Sequence, residues 1–237
     1  MESRAKKNEI KPHLSRYWKI PPEQDAAFVA CMEDILDVYE LPYDPACPVV
    51  CMDESLKQLV GEVRPPIPVS PGQSQRIDDE YVRLGTAEIF LAVEPLAGKR
   101  FVEVTETRKR TDWAHFVREL VDVHYPEAEK IRLVLDNLNI HSAASLYEAF
   151  PPEEARRIAG KLELHYTPKH GSWLNIAEIE LSAYKRQCIP GRIATIERMC
   201  EMTRAWNEDR NTCQTKVDWQ FRTADARIKL KRLYPKL

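Results

Sequence analysis

Three acidic residues stand where phosphodiester chemistry would use them. Asp53 closes the apolar run Val49-Val50-Cys51-Met52, and Asp136 closes Ile131-Arg132-Leu133-Val134-Leu135. Glu178 lies in the helical segment NIAEIELSAYKRQ. Breaking a phosphodiester needs help at both the attacking and the leaving oxygen, which two divalent ions about 3.5–4 Å apart can supply. Magnesium is a hard ion that favours carboxylate oxygen and completes its shell with water and substrate phosphate. Asp at the end of a rigid strand suits a position shared by two ions, while a longer Glu on a helix can reach in from the side. The chain has 37 Asp and Glu residues, so spacing alone does not single out these three.

Helix phase does separate two of the candidates. Glu178 and Glu180 are two residues apart, about 200° around a helix, and cannot both face one site. Glu178 shares its face with Asn175 and Ser182, whereas Glu180 lies with Ile176 and Ala183. The polar face is the expected wall of a wet groove. The Asp78-Asp79-Glu80 cluster falls in a stretch rich in proline and polar groups, 61–80, where a loop would hold metals poorly. Glu54 adjoins Asp53, points to the opposite side of an extended strand, and is set aside.

The elements that must position these acids follow from periodicity. Pro21-Pro22-Glu23 is expected to open a helix whose buried stripe is Phe28, Met32, Ile35, Leu36 and Tyr39. Residues 49–52 read as a short buried strand ending at Asp53, and 86–94 with 99–105 read as a hairpin turning at PLAG. Thr111 and Asp112 are placed to cap a helix with Trp113, Phe116, Val117, Leu120 and Val121 on its apolar face. A strand over 131–135, a helical excursion over 143–160 and a strand over 162–168 come next. KHGS makes a turn into a helix over 173–187, and a last helix over 194–210 is expected to bury Ile196, Met199, Cys200 and Trp206. Hairpin strands beside βα units imply an α/β fold, a mixed sheet with helices on its faces, and ligands collect at strand C-termini in such sheets.

Bulk properties narrow the class. At 237 residues the chain can bury one substantial core. No apolar run approaches the roughly 18–20 residues that span a bilayer, and the first residues lack the apolar core of a secretory signal. We therefore expect a cytoplasmic protein with no membrane partner. Six cysteines without metal-ligand spacing read as reduced thiols. Net charge is −2, but residues 1–20 and the final ARIKLKRLYPKL are basic, leaving an acidic middle. Basic ends around carboxylates suit an enzyme that meets phosphate at its flanks.

Three extended segments carry a family resemblance: VVCMDES at 49–55, LVLDNLNIHS at 133–142 and HYTPKHGSWLNIAEIELSAYKRQ at 165–187. Together they resemble the mariner-like transposases of bacterial insertion sequences, members of the DDE superfamily of endonucleases. The resemblance implies a ribonuclease-H-like (retroviral-integrase-like) fold, a mixed five-stranded sheet flanked by helices. It implies that Asp53, Asp136 and Glu178 are the catalytic, metal-holding acids, with Asp53 bridging two Mg2+ ions (Mn2+ may substitute). The implied reaction is cleavage at terminal inverted repeats, then attack of the freed 3′-hydroxyl on target DNA, typically at TA. Lys169, His170, Asn137, Lys185 and Arg186 are the accompanying candidates for DNA contact, and His141 is read as a helix cap. A homodimer on paired ends, associated with the bacterial nucleoid, is implied by analogy. The expected organisation is an N-terminal arm and linker helix at 1–45, a catalytic domain at 46–212 and a basic C-terminal tail at 213–237. The interval between Asp136 and Glu178 is longer than in many relatives, with the 143–160 excursion absorbing the excess. The helix-turn-helix modules that read inverted repeats in full-length relatives have no counterpart in the sequence, so the alternative is a silent, truncated remnant that binds or inhibits an intact transposase.

Overall fold

The structure, a computed structural model, describes residues 20–236; the basic arm expected at 1–20 lies outside the described residues except for Ile20. Five strands form one mixed sheet. They are β1 (Val49–Glu62), β2 (Tyr81–Glu94), β3 (Lys99–Thr105), β4 (Ile131–Leu135) and β5 (Leu162–Tyr166), in the order β3-β2-β1-β4-β5. β1, β2 and β3 are antiparallel neighbours, while β4 and β5 run parallel to β1. Among the described residues no helix is long and apolar enough to cross a membrane.

The first four residues of β1 are apolar without alternation because both faces of the sheet are covered. Val49 and Cys51 enter the core beneath α1 (Ala26–Glu40), α5 (Ile176–Gln187), α6 (Ile196–Cys213) and α7 (Thr223–Lys229). Val50 and Met52 enter the opposite core, beneath α2 (Arg110–Glu119), α3 (Ala143–Ala149) and α4 (Pro152–Lys161). Phe28, Met32, Ile35 and Leu36 supply the buried stripe of α1, each stabilising the fold by about 1.5–3 kcal/mol.

Several expected boundaries move, each for a local reason. β1 does not stop at Asp53 but continues to Glu62. Antiparallel pairing with β2 satisfies the backbone of its outer half, so it needs little apolar content there. α1 begins at Ala26 rather than near Pro21, because the Asp25 side chain accepts from the Phe28 amide at 2.9 Å. α2 begins at Arg110, with Asp112 inside the first turn accepting from the Lys109 amide at 2.7 Å. α5 begins at Ile176, and Trp173 sits in a single 3-10 turn before it. In α6, Met199 and Trp206 are buried but Ile196 and Cys200 are only partly so. The C-terminal stretch, expected as a basic tail, contains α7 and buries Ala226 and Leu233 in the same core as α1.

An ionic cluster is buried beside the apolar core. Arg100 of β3 is fully buried, with its Nε 3.0 Å from Glu180 Oε1 and further bonds to the Gly98 and Thr215 carbonyls. Arg210 of α6 donates to the same Glu180 oxygen at 2.9 Å. Asn211 pairs with both the amide and the carbonyl of Arg100, at 2.7 and 2.8 Å, and so ties α6 to the edge strand. Gly98 turns the β2–β3 hairpin at φ +72°, and a Cβ there would meet the Gln214 carbonyl oxygen at 2.4 Å. Only glycine lets α6 end so close to this turn.

Glu180→Ala should therefore destabilise the protein by about 3–5 kcal/mol, because it leaves Arg100 charged and buried. Glu178→Ala, on the exposed face of the same helix, should change stability by under about 0.5 kcal/mol. Denaturant unfolding of the two variants side by side measures both values. Equal losses would contradict this division of the helix.

Candidate active site

The pairing of β1 with β4 sets the site. Val49, Val50 and Cys51 lie opposite Arg132, Leu133 and Val134, and the same offset carried forward puts Asp53 level with Asp136. Each acid follows the buried residues of its strand, so both carboxylates reach the C-terminal edge of the parallel pair.

α5 is brought to the same place by Asn175, which is buried. Its side-chain oxygen accepts from the Ala177 amide at 3.0 Å, capping the helix. Its Nδ2 donates to the Met52 carbonyl at 2.8 Å, one residue before Asp53. Glu178 falls in the first turn beyond this cap. Asn175 therefore does not wall a wet groove with Glu178, as its helical position alone suggested; it joins α5 to β1. An asparagine at the N-cap position was the available signal, although its reach to β1 spans 123 residues.

The charges are close enough to act on one another. Burial pushes the Asp53 carboxyl up to about 7, and the neighbouring charges of Glu54, Asp136 and Glu178 push the same way. The Glu54 amide, donating to Asp53 Oδ1 at 2.8 Å, opposes them. Among the described residues neither lysine nor arginine forms an ion pair with Asp53 or Glu178.

Asp136 has a different neighbourhood. Its Oδ1 lies 2.7 Å from His141 Nδ1 and accepts from the Leu138 amide at 3.2 Å. His141 is fully buried and does not cap the following helix, where Ser142 takes the cap position. Its Nδ1 also lies 3.0 Å from the Asp136 carbonyl, and its Nε2 lies 2.8 Å from Glu54 Oε1. Burial disfavours charge on this imidazole, but the Asp136 and Glu54 carboxylates outweigh it and lift its pKa to about 10. Glu54 does point to the face opposite Asp53, and it is buried there against His141 rather than idle. Glu54 and His141 are 87 residues apart, so no local pattern announces their contact.

The remaining candidates divide into two groups. Asn137, Lys169 and His170 line an open cleft of about 400 Å³ together with Asp136, Thr167, Pro168 and Ser172. Its floor is fixed by the Thr167 amide bonding to the Leu135 carbonyl at 2.9 Å. The KHGS turn closes tightly, with His170 at φ +65° and the Gly171 amide on the Pro168 carbonyl at 2.8 Å. A Cβ on Gly171 would meet the Pro168 ring at 2.5 Å, which is why glycine is needed there. Lys185 and Arg186 are exposed in the last turn of α5. Lys185 lies on the Glu178 face, two turns or about 10 Å away.

The donor chemistry fits a hard divalent cation. Asp53, Asp136 and Glu178 offer carboxylate oxygen, and Asp53, raised by burial first and by its acidic neighbours second, has no lysine or arginine ion-pair partner among the described residues. As the side chains stand, no three His, Cys, Asp or Glu groups among the described residues close around a single point.

Residues 48–200 match the family model described as DDE superfamily endonuclease. A comparison by sequence with curated proteins found no significant match. Among solved structures, the Mos1 mariner paired-end complex with Mn superposes with a TM-score of 0.56 at 14% identity, covering 88% of this chain and 62% of that one. The corresponding complex with Mg gives 0.56 at 14% identity, covering 97% and 68%. The isolated catalytic domain of Mos1 mariner transposase gives 0.51 at 12% identity, covering 83% and 96%. The chain thus spans about three fifths of the Mos1 chain in the Mn complex and has the ribonuclease-H-like fold of its catalytic domain. With more than half of its length matched by the family model, the chain belongs to the DDE superfamily of endonucleases.

Proposed function

We propose that this chain is the catalytic domain of a DNA transposase, with 46–212 as the catalytic unit, that cuts the ends of its element and joins them to target DNA. One observation carries the reading. Two acids stand level where the parallel pairing of β1 with β4 ends, and a third is delivered beside them by a helix tied to the first strand. Asp53, Asp136 and Glu178 would hold two divalent ions, Mg2+ or Mn2+, which when bound supply Lewis-acid activation of the attacking and leaving oxygens. In cleavage a water oxygen bonds to phosphorus as the P–O3′ bond breaks, and the 3′-oxygen takes a proton. In joining, that 3′-hydroxyl oxygen bonds to a target phosphorus and displaces another 3′-oxygen.

The chain's own groups divide the remaining work. Asp53 would present its metal-holding oxygens from the rigid sheet and Asp136 from the first residue past β4, while Glu178 approaches from α5. Lys169 and His170 beside Asp136, and Lys185 and Arg186 farther along α5, are placed to meet phosphates. The substrate is double-stranded DNA with terminal inverted repeats and a TA-type target, handled by a homodimer on bacterial nucleoid DNA. The paired-end and strand-transfer complexes formed by Mos1 favour this class of substrate.

The test is cleavage and strand transfer of DNA carrying the element's own ends, with Mg2+ or Mn2+. Asp53→Asn, Asp136→Asn and Glu178→Gln should each lower the cleavage rate by about 10³-fold or more, the loss of several kcal/mol of transition-state stabilisation. Removing the metal with chelator should abolish activity in the unaltered protein. Metal-dependent cleavage that survives Asp136→Asn would reject the site. Asn175→Ala should cost about 2 kcal/mol of stability through the lost cap and the unpaired Met52 carbonyl. It should also slow single-turnover cleavage, because Glu178 loses its fixed start point. Unchanged cleavage in the folded variant would mean that α5 is positioned by other contacts.

A further inference from the structure

We propose that His141 and Glu54 are positioning residues, a buried brace that fixes the Asp136 carboxylate against the strand carrying Asp53. The proposal rests on the reading of Asp53, Asp136 and Glu178 as metal-holding acids and adds two residues to that site.

Asp136 is the first residue past the end of β4, where the chain leaves the sheet and ladder bonding stops. An aspartate there has two free side-chain torsions, yet a metal site needs its ligands held within about 0.5 Å of the working geometry. Only an added contact can supply that precision. His141 provides it by folding back over the 137–140 turn. Its Nδ1 faces two oxygens of Asp136, the carbonyl at 3.0 Å and carboxylate Oδ1 at 2.7 Å. Its Nε2 faces Glu54 Oε1 at 2.8 Å. The oxygens opposite the two ring nitrogens belong to Asp136 on one side and Glu54 on the other, so the ring bridges the two acids.

The brace is anchored at each point. Glu54 adjoins Asp53 in β1, and strand alternation sends the two acids to opposite faces. One neighbour faces α5, and the other clamps the loop that carries Asp136. The His141 carbonyl accepts from the Tyr166 hydroxyl at 2.7 Å, and the His141 amide bonds to the Leu138 carbonyl at 3.0 Å. Ser145 Oγ holds the Ile140 carbonyl at 2.6 Å, and Trp113 packs beside the imidazole with ring centroids 5.8 Å apart. The histidine and glutamate side chains are 0% and 1% exposed, so water does not compete for the bond between them, while Asp136 keeps an exposed side. Glu54 enters this chain through Oε1 alone, its Oε2 being buried without a hydrogen-bond partner, and each bonded member orients the next. Its end product is the direction of one Asp136 oxygen.

The experiment measures Mn2+ binding by the purified, DNA-free protein with electron paramagnetic resonance, alongside unfolding curves. His141→Ala and Glu54→Ala should weaken Mn2+ binding about 10–100-fold while the folded protein still unfolds cooperatively. Glu54→Gln keeps an acceptor oxygen for Nε2 and should recover most of that affinity. If the alanine variants do not fold, Glu54→Gln and His141→Gln serve instead, with His141→Gln, able to reach one carboxylate only, binding more weakly than Glu54→Gln. Folded variants with lower stability but unaltered Mn2+ affinity would overturn the brace, since a purely structural pair would give that result. Asp136→Asn separates the two levels of the claim. If it weakens Mn2+ binding and the His141 and Glu54 variants do not, the brace fails and the metal site stands. If the unaltered protein binds no Mn2+, the metal site itself fails and the brace falls with it.

Discussion

Three residue pairs of parallel pairing, Val49, Val50 and Cys51 against Arg132, Leu133 and Val134, determine where everything else in the site must lie. A one-residue slip would turn each acid to the other face of the sheet, because side chains alternate with period two. The register resists slipping because both strands are buried on both faces. Val50, Met52, Leu133 and Leu135 belong to one core, and Val49, Cys51 and Val134 to the other. The packing that stabilises the domain is thus also what brings Asp53 level with Asp136.

That placement works against stability as well as for it. Burying Asp53 pushes its carboxyl up to about 7, and the carboxylates of Glu54, Asp136 and Glu178 push the same way. The protein answers elsewhere with fully paired charge. Glu180, on the same helix as Glu178, is enclosed by Arg100 and Arg210, and these bonds hold α5 and α6 against β3. α5 therefore carries one acid that is buried and paired and another, about 200° away, that is exposed and has no lysine or arginine ion-pair partner among the described residues. The first fixes the helix so that the second can be presented.

How much of this was legible in the sequence depended on how local the deciding interaction is. β3 and β4 appear at the residues expected because each is a short run with sharp ends. The opposite phases of Glu178 and Glu180 were legible for the same reason, since helix geometry is local. The extension of β1 to Glu62 was not, because a partner strand makes it rather than its own apolar pattern. α7 was missed too. It is 7 residues long, and its burial depends on α1, nearly the whole chain away. Asn175 was visible as a cap but not as a tie to β1, and the meeting of Glu54 with His141 had no sequence signal at all. Local chemistry announces candidate acids, while the contacts that aim them are long-range.

The same distinction resolves the tension between a net charge of −2 and the proposed DNA substrate. Net charge bears on solubility and long-range steering, whereas phosphate contact depends on which residues share a surface. Along α5, one face begins with Glu178 in the first turn and ends with Lys185 in the last. An acid near the N-terminus and bases near the C-terminus are also what the helix dipole favours, so this gradient carries no penalty for the helix. The proposed metal-holding and phosphate-meeting ends, about 10 Å apart on one rigid element, need no excess of positive charge over the whole chain. They need only that α5 be held in fixed phase to β1, which the Asn175 bond to the Met52 carbonyl and the Glu180 ion pairs together ensure.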